Sequence, residues 1–245
     1  MNTLQAEQIR LYGAAPGSEP DVINLMNSAR QVRAMVLELA RTADWNALGT
    51  VWRSVQTDLE LPAPAIAVNG VDGYQLWFSV AEPIALAEAQ AFLEALRLHY
   101  LASVATARVS MWPATDASMP HGVCHARLAP GVQAITGHWS AFVAPDLASI
   151  FADEPWLDLT PSPEAQAGVL SAMQCIKPAD FQRALSQMQQ PEKTEASHAT
   201  RVTVSASPTS GLQPRRFLFD VMNDPEVEMH LRIEAAKALL PYCKD

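Results

Sequence analysis

Four groups of side chains combine types and spacings that could support chemistry. The first is Asp58-Leu59-Glu60, two carboxylates one residue apart. Joined by Asp146 or Asp158, they would supply hard oxygen ligands for the Mg²⁺ ions of a phosphoryl-transfer site. The second is His121-x-x-Cys124-His125, with His138 thirteen residues further on. Imidazole and thiolate ligate zinc, and a four-residue gap suits one helical face. The surrounding MPHGVCHARLAPG is rich in helix breakers, though, and the chain contains no CxxC. These are therefore expected to be loop residues, and no metal is assigned. Cys124 beside His125 is a poor activated thiolate, because adjacent side chains rarely face each other.

The third group is Asp146, Asp153, Glu154 and Asp158 within APDLASIFADEPWLD. Such a density of carboxylates could hold Mg²⁺ or Ca²⁺. The interleaved Leu147, Ile150, Phe151, Trp156 and Leu157 favour a plainer expectation, the buried side of a short helix and turn whose acidic face is solvated. The fourth is a set of arginines at 10, 30, 33, 41 and 53, of which Arg30, Arg33 and Arg41 would line one side of a helix spanning 20–41. That would create a local basic patch for nucleic acid, with affinity falling steeply with salt.

These residues must be positioned by regular elements. Val22, Leu25, Met26, Ala29, Val32, Val36 and Leu39 recur at helical spacing, so 20–41 is expected to be a helix capped by Asp21. A second helix is expected after Asp44, closed by Pro62 and Pro64. AIAVN (65–69) and YQLWFSV (74–80) read as strands joined through Gly70-Val71-Asp72-Gly73, a β-hairpin whose second strand ends at Pro83. Residues 85–101 form an amphipathic helix; 107–113 and 138–145 read as strands, and 163–175 and 178–188 as helices. This order predicts an α+β fold with a mostly antiparallel sheet. The 1–187 core is followed by a Ser/Thr/Gln/Pro-rich linker at 188–212, in which only RVTVSA alternates like a strand, and by a helical tail at 213–245.

The stretch PAPAIAVNGVDGYQLWFSV resembles the second motif of the archaeo-eukaryotic primase superfamily, closest to plasmid and relaxase-associated primase-like domains. Asn69-Gly70 stand where that family has Ser or Thr with a small residue. Tyr74-Gln75-Leu76-Trp77 match its aromatic–Gln/His–x–Trp strand. The likeness covers about residues 60–112. It implies a nucleotidyltransferase ancestry with an acidic first motif on an upstream strand, for which Asp58-Leu59-Glu60 is the only candidate. Gln75 replaces the histidine of some branches and cannot carry a proton. No Lys or Arg lies between Arg53 and Arg97, whereas a surface for triphosphate and template normally supplies them. Catalysis by this module is therefore expected to be lost, and Mg²⁺ is implied only if it is retained. The plainer reading makes Trp77 and Phe78 core residues, Gln75 exposed or bonded to backbone, and Asp72 a turn residue.

The segment RRFLFDVMNDPEVEMHLRIEAAKALLPY (215–242) resembles a helical stretch of phage terminase small subunits. The matches include Phe217, Val221, Asp224-Pro225, Arg232 and Glu234-Ala235-Ala236-Lys237. In that family the stretch serves folding or oligomeric packing. Phe217, Val221, Leu231, Ala235 and Leu239 are the residues expected to mediate self-association or docking to a protein partner.

Composition bounds the rest. The 245 residues, 49% of them hydrophobic, can build one sizeable core with an appendage. No apolar run approaches the roughly 18 residues of a transmembrane helix, and the first ten residues lack a basic leader and hydrophobic region, so neither membrane insertion nor secretion is expected. Three distant cysteines make no disulfide framework and suit a reducing cytoplasm. A net charge of −9 disfavours unaided binding to long nucleic acid. The chain has no GxxxxGK[ST], GxGxxG, GxSxG or HExxH motif. The expectation is a non-catalytic, primase-like accessory or scaffold protein of a phage, plasmid or integrated element. Its alternatives are a metal-dependent nucleotidyltransferase and an arginine-based nucleic-acid-binding module.

Overall fold

The computed structural model describes residues 2–13, 22–114 and 125–189. The expected tail (213–245) and all but Met188 and Gln189 of the expected linker lie outside the described residues, as do His121 and Cys124. The chain order is α1 (Thr3–Tyr12), β1 (Val22–Asn24), β2 (Gln31–Leu39), α2 (Trp45–Thr57), β3 (Ala65–Val68), β4 (Tyr74–Ala85), α3 (Leu86–Tyr100), β5 (Val109–Trp112), β6 (His125–Arg127), β7 (Ala141–Val143), α4 (Pro163–Ser171) and α5 (Pro178–Gln189). The fold is α+β. A five-stranded sheet, ordered β5-β2-β4-β3-β7, is antiparallel throughout, and β1 and β6 form a separate antiparallel pair.

The largest departure from the sequence pattern is the helix expected over 20–41: its described residues form two strands, β1 and β2. Asn27 turns the chain: its Oδ1 accepts from the backbone N–H groups of Ala29 and Gln31, and Arg30 takes φ +59°. Beyond that turn, β2 is buried on both faces. A doubly buried strand reads as a continuous apolar run, and here the run happens to satisfy helical spacing as well. The sheet has helices on both faces. Leu37 and Leu39 point toward a core shared with Leu48 and Val55 of α2, Phe92 and Leu96 of α3 and Phe181 of α5. Ala34, Val36 and Trp77 point the other way, onto Leu11 and Tyr12 of α1 and Leu170 of α4.

Elsewhere the helix caps follow their local signals, and some strand and turn residues do not. Asp44 caps α2 by accepting from Ala47 N–H, although the helix ends at Thr57, before the prolines. Asn2 and Gln5 make a reciprocal capping box for α1, and Gly13 closes it at φ +67°. Pro83 does not end β4, which continues to Ala85. Its register against β2 slips between the Ala34–Ser79 and Val32–Ile84 pairs, and the bulged stretch accommodates a residue without an N–H. Residues 146–158 bury only part of the expected apolar side: Phe151 and Leu157 pack against the core, but Leu147 and Ile150 do not. Only the short 3-10 turn Ala148–Phe151 forms, Ala148 is buried, and Leu147 and Ile150 remain 46% and 70% exposed. One turn is too short to build an apolar stripe. Helix α5 runs through Met188 to Gln189, two residues into the expected linker.

Candidate functional site: a polar cleft on the second sheet face

Side chains on one sheet face alternate along each strand, so register decides which residues meet. On the face covered by α1 and α4, one cross-strand row reads Ser110, Glu38, Gln75, Ala67, Phe142, and the next reads Trp112, Val36, Trp77, Ala65. The first row places a carboxylate beside a carboxamide within the sheet. Gln75 is only 7% exposed and Trp77 1%. Trp77 Nε1–H donates to Gln75 Oε1 at 2.9 Å, which fixes the amide orientation, and Gln75 Nε2–H donates to Glu38 Oε2 at 2.6 Å. Gln75 is thus neither exposed nor bonded to backbone. Trp77 is a core residue, at 5.0 Å from the Tyr12 ring and 6.0 Å from Phe142.

Burial pushes the Glu38 carboxyl above the usual carboxylate range, and Asp72 adds to the rise, while hydrogen bonds from Gln75 and Asn69 oppose it. Asn69 and Asp72 come from the hairpin loop. Asn69 Oδ1 accepts from the N–H groups of Val71, Asp72 and Gly73, and its Nδ2–H reaches Asp72 Oδ1 at 3.3 Å. Asp72 Oδ2 accepts from Arg41 N–H, tying the loop to the end of β2. Gly70 takes φ +79°, as the loop requires. Gly73 has another reason: a Cβ there would collide with the Leu39 carbonyl and Ala40.

Together these residues border a cleft of about 400 Å³. Glu38 and Gln75 lie on one side, with Asn69 and Asp72 beside them. Trp112 from β5 and His125 and Arg127 from β6 complete the rim. Gln133 closes a corner, donating to the Asn69 carbonyl at 3.2 Å.

Most of the sequence-derived candidates lie elsewhere. Asp58 caps the end of α2, where it accepts from Thr57 and from the Tyr100 hydroxyl. Glu60 faces Arg183 of α5 at 3.4 Å, at φ +52°. Asp158 lies 3.7 Å from His138, whose ring stacks on Trp156 at 4.7 Å. The set Asp58, Glu60, Asp146 and Asp158 therefore does not converge, and among the described residues no three His, Cys, Asp or Glu side chains gather around a point. His125, expected in a loop, starts strand β6 and borders the cleft, whereas His138 packs on Trp156.

The arginine patch is also overturned, because its helix does not exist. Arg30 sits in the turn before β2 and Arg41 beyond its end, roughly 30 Å apart along an extended strand. Arg33 folds back so that its Nη2 donates to the carbonyls of Arg10 and Ala81. Of the motif residues, Asn69, Gly70, Tyr74, Gln75 and Trp77 are brought together as a loop and its strand; Tyr74 points to the opposite core, its hydroxyl donating to Ala148 O at 2.7 Å.

Glu38 was missed because 20–41 reads as a helix, where one acidic residue is unremarked. The usable signal was a lone acid inside the apolar run AMVLELA, since an unpaired carboxylate is almost never placed in a core without a purpose or a partner.

Fold and site define an α+β protein in which an antiparallel sheet, covered by helices on both faces, keeps a polar cleft at one end. No known family model matches the chain, and no curated protein shows significant similarity to it. Among the described residues, no helix is long and apolar enough to cross a membrane.

Proposed function

We propose that this chain is a non-catalytic, primase-like accessory protein of a phage, plasmid or integrated element, acting in the cytoplasm by holding a protein partner. The observation that carries the reading is that the one acid on the strand beside the motif strand is already engaged in a hydrogen bond. On β2, the strand adjacent to Tyr74-Gln75-Leu76-Trp77, the one acidic residue is Glu38, and its oxygen is already bonded by Gln75. Two-metal nucleotidyl transfer needs several carboxylates free to bridge two cations. Here Asp72 is the second carboxylate of the cleft, and both of its oxygens are engaged within the hairpin loop and with Arg41. The cleft is shaped for recognition, with polar groups converging on a concave surface. The segment 213–245, similar to terminase small-subunit helices, supplies a second means of association, by self-assembly or by docking a partner.

Two experiments test this on the full-length protein. Calorimetry with Mg²⁺ or Mn²⁺ and a nucleoside triphosphate, paired with a primer-synthesis assay, is expected to give neither heat nor product. Heat or product that disappears in Glu38→Gln would replace the reading with the enzyme. Removal of 213–245 is expected to dissolve an oligomer or hetero-complex seen for the intact chain. A monomer that behaves identically before and after truncation would overturn the scaffold role.

A further inference from the structure

The cleft's chemistry narrows what it would hold. Two carboxylates, Glu38 and Asp72, face it against a single guanidinium, Arg127, which forms no ion pair among the described residues. Glu38 is half-buried, has an amide rather than a cation as its hydrogen-bond donor, and lies next to a second carboxylate. A half-buried carboxylate of this kind gains most from a cation able to donate hydrogen bonds within the cleft. Trp112, in the next row along the same sheet face, also lines the cleft. Aromatic faces favour planar, weakly hydrated cations over a compact ammonium. The Gln75 amide, locked by Trp77, offers a flat polar edge next to the carboxylate.

We propose that this cleft is a receptor for an arginine side chain of a protein partner, with the guanidinium against Glu38 and Trp112. The inference rests on the reading of the chain as a partner-binding accessory protein, and adds where and how the core would recognise that partner. Arginine is preferred to lysine because a planar fork can lie on the indole while donating to the carboxylate. Charge complementarity selects this occupant over an anionic one.

The test uses the full-length chain and Nα-acetyl-arginine methylamide as probe. The side-chain amide signals of Gln75 and the indole N–H of Trp112 are followed by NMR. Saturable shifts of both are expected, with the citrulline counterpart, a neutral isostere, binding at least about tenfold more weakly. Glu38→Gln is expected to weaken the arginine probe by about tenfold or more. Trp112→Leu, at a half-buried rim position, serves as an independent variant should Glu38→Gln unfold. Equal binding of the citrulline compound, unchanged affinity in the folded variants, or no shift with the arginine probe would each overturn the proposal. So would agmatine binding without the blocked arginine, since that would mark a small-molecule site. Primer synthesis by the full-length protein would instead overturn the accessory reading. A partner complex that survives loss of guanidinium binding would overturn this inference alone.

Discussion

The two faces of the five-stranded sheet are made from the same strands yet differ in what they tolerate. On the α2, α3 and α5 face every contributing position is apolar, and aromatic rings fill the centre: Phe92 lies 5.6 Å from Phe78 and 5.1 Å from Phe181. On the α1 and α4 face a carboxylate and three buried amides (Gln8, Gln75 and Gln166) enter the same layer, each held by hydrogen bonds. Glu38 and Gln75 are joined in a chain to Trp77, and Gln166 of α4 both donates to and accepts from the Phe142 backbone, as a neighbouring strand would. A core that exists only for stability has no need of Glu38, because an apolar residue there would avoid desolvating a charge. The contrast separates a face built for stability from one that retains polar chemistry at its open end.

That separation can be broken at several strengths. The largest effect belongs to the apolar face. Phe92→Ala is expected to cost about 3–5 kcal/mol by denaturant unfolding, because the cavity is enclosed by two other rings. A loss below about 1 kcal/mol would mean that this face is not the principal core. Gly73→Ala is expected to cost about 1–3 kcal/mol, since its Cβ meets the Leu39 carbonyl and the end of β2. It should also disturb the Asn69–Asp72 loop, visible as shifts of those amides; an unperturbed loop would contradict the close approach. Trp77→Phe should cost less, about 1–2 kcal/mol, because the ring is largely replaced while Gln75 Oε1 loses its donor. Its distinguishing signature is electrostatic. A loosened Gln75 stabilises the Glu38 anion less, so the Glu38 titration should move further upward. A downward move would sink the proposed hydrogen-bond chain.

How far the sequence revealed this structure depended on whether the signals were local. The 65–80 hairpin, the helix after Asp44 and the helix at 86–100 were legible, because turn glycines, a capping aspartate and one-sided apolar spacing act within a few residues. Strand β2 was not. Burial on both faces is imposed by α1 and α3, which are distant in sequence, and it erased the alternation that marks a half-buried strand. The error then carried into the site, because Glu38 and the three arginines were assigned to a helix that does not form. Asp58 and Glu60 were attractive for their spacing alone, and only the tertiary structure assigns them to the end of α2, facing Tyr100 and Arg183. Helix α1 could have been found from Asn2, Gln5 and Gly13, a complete pair of caps.

The account's central claim is that the second sheet face holds a half-buried carboxylate at a cleft, and its most direct test is the titration of Glu38 by carboxyl-detected NMR. A carboxyl whose folded pKa lies above its unfolded value favours the fold while protonated. Its contribution is fully present below the ordinary glutamate range and is lost as pH rises through the raised folded value. Glu38 should therefore titrate above an ordinary glutamate, mainly through burial. Across that same interval Glu38→Gln should flatten the fall in stability with rising pH. Titration at or below the ordinary glutamate range, with the same pH dependence in the variant, would contradict the claim.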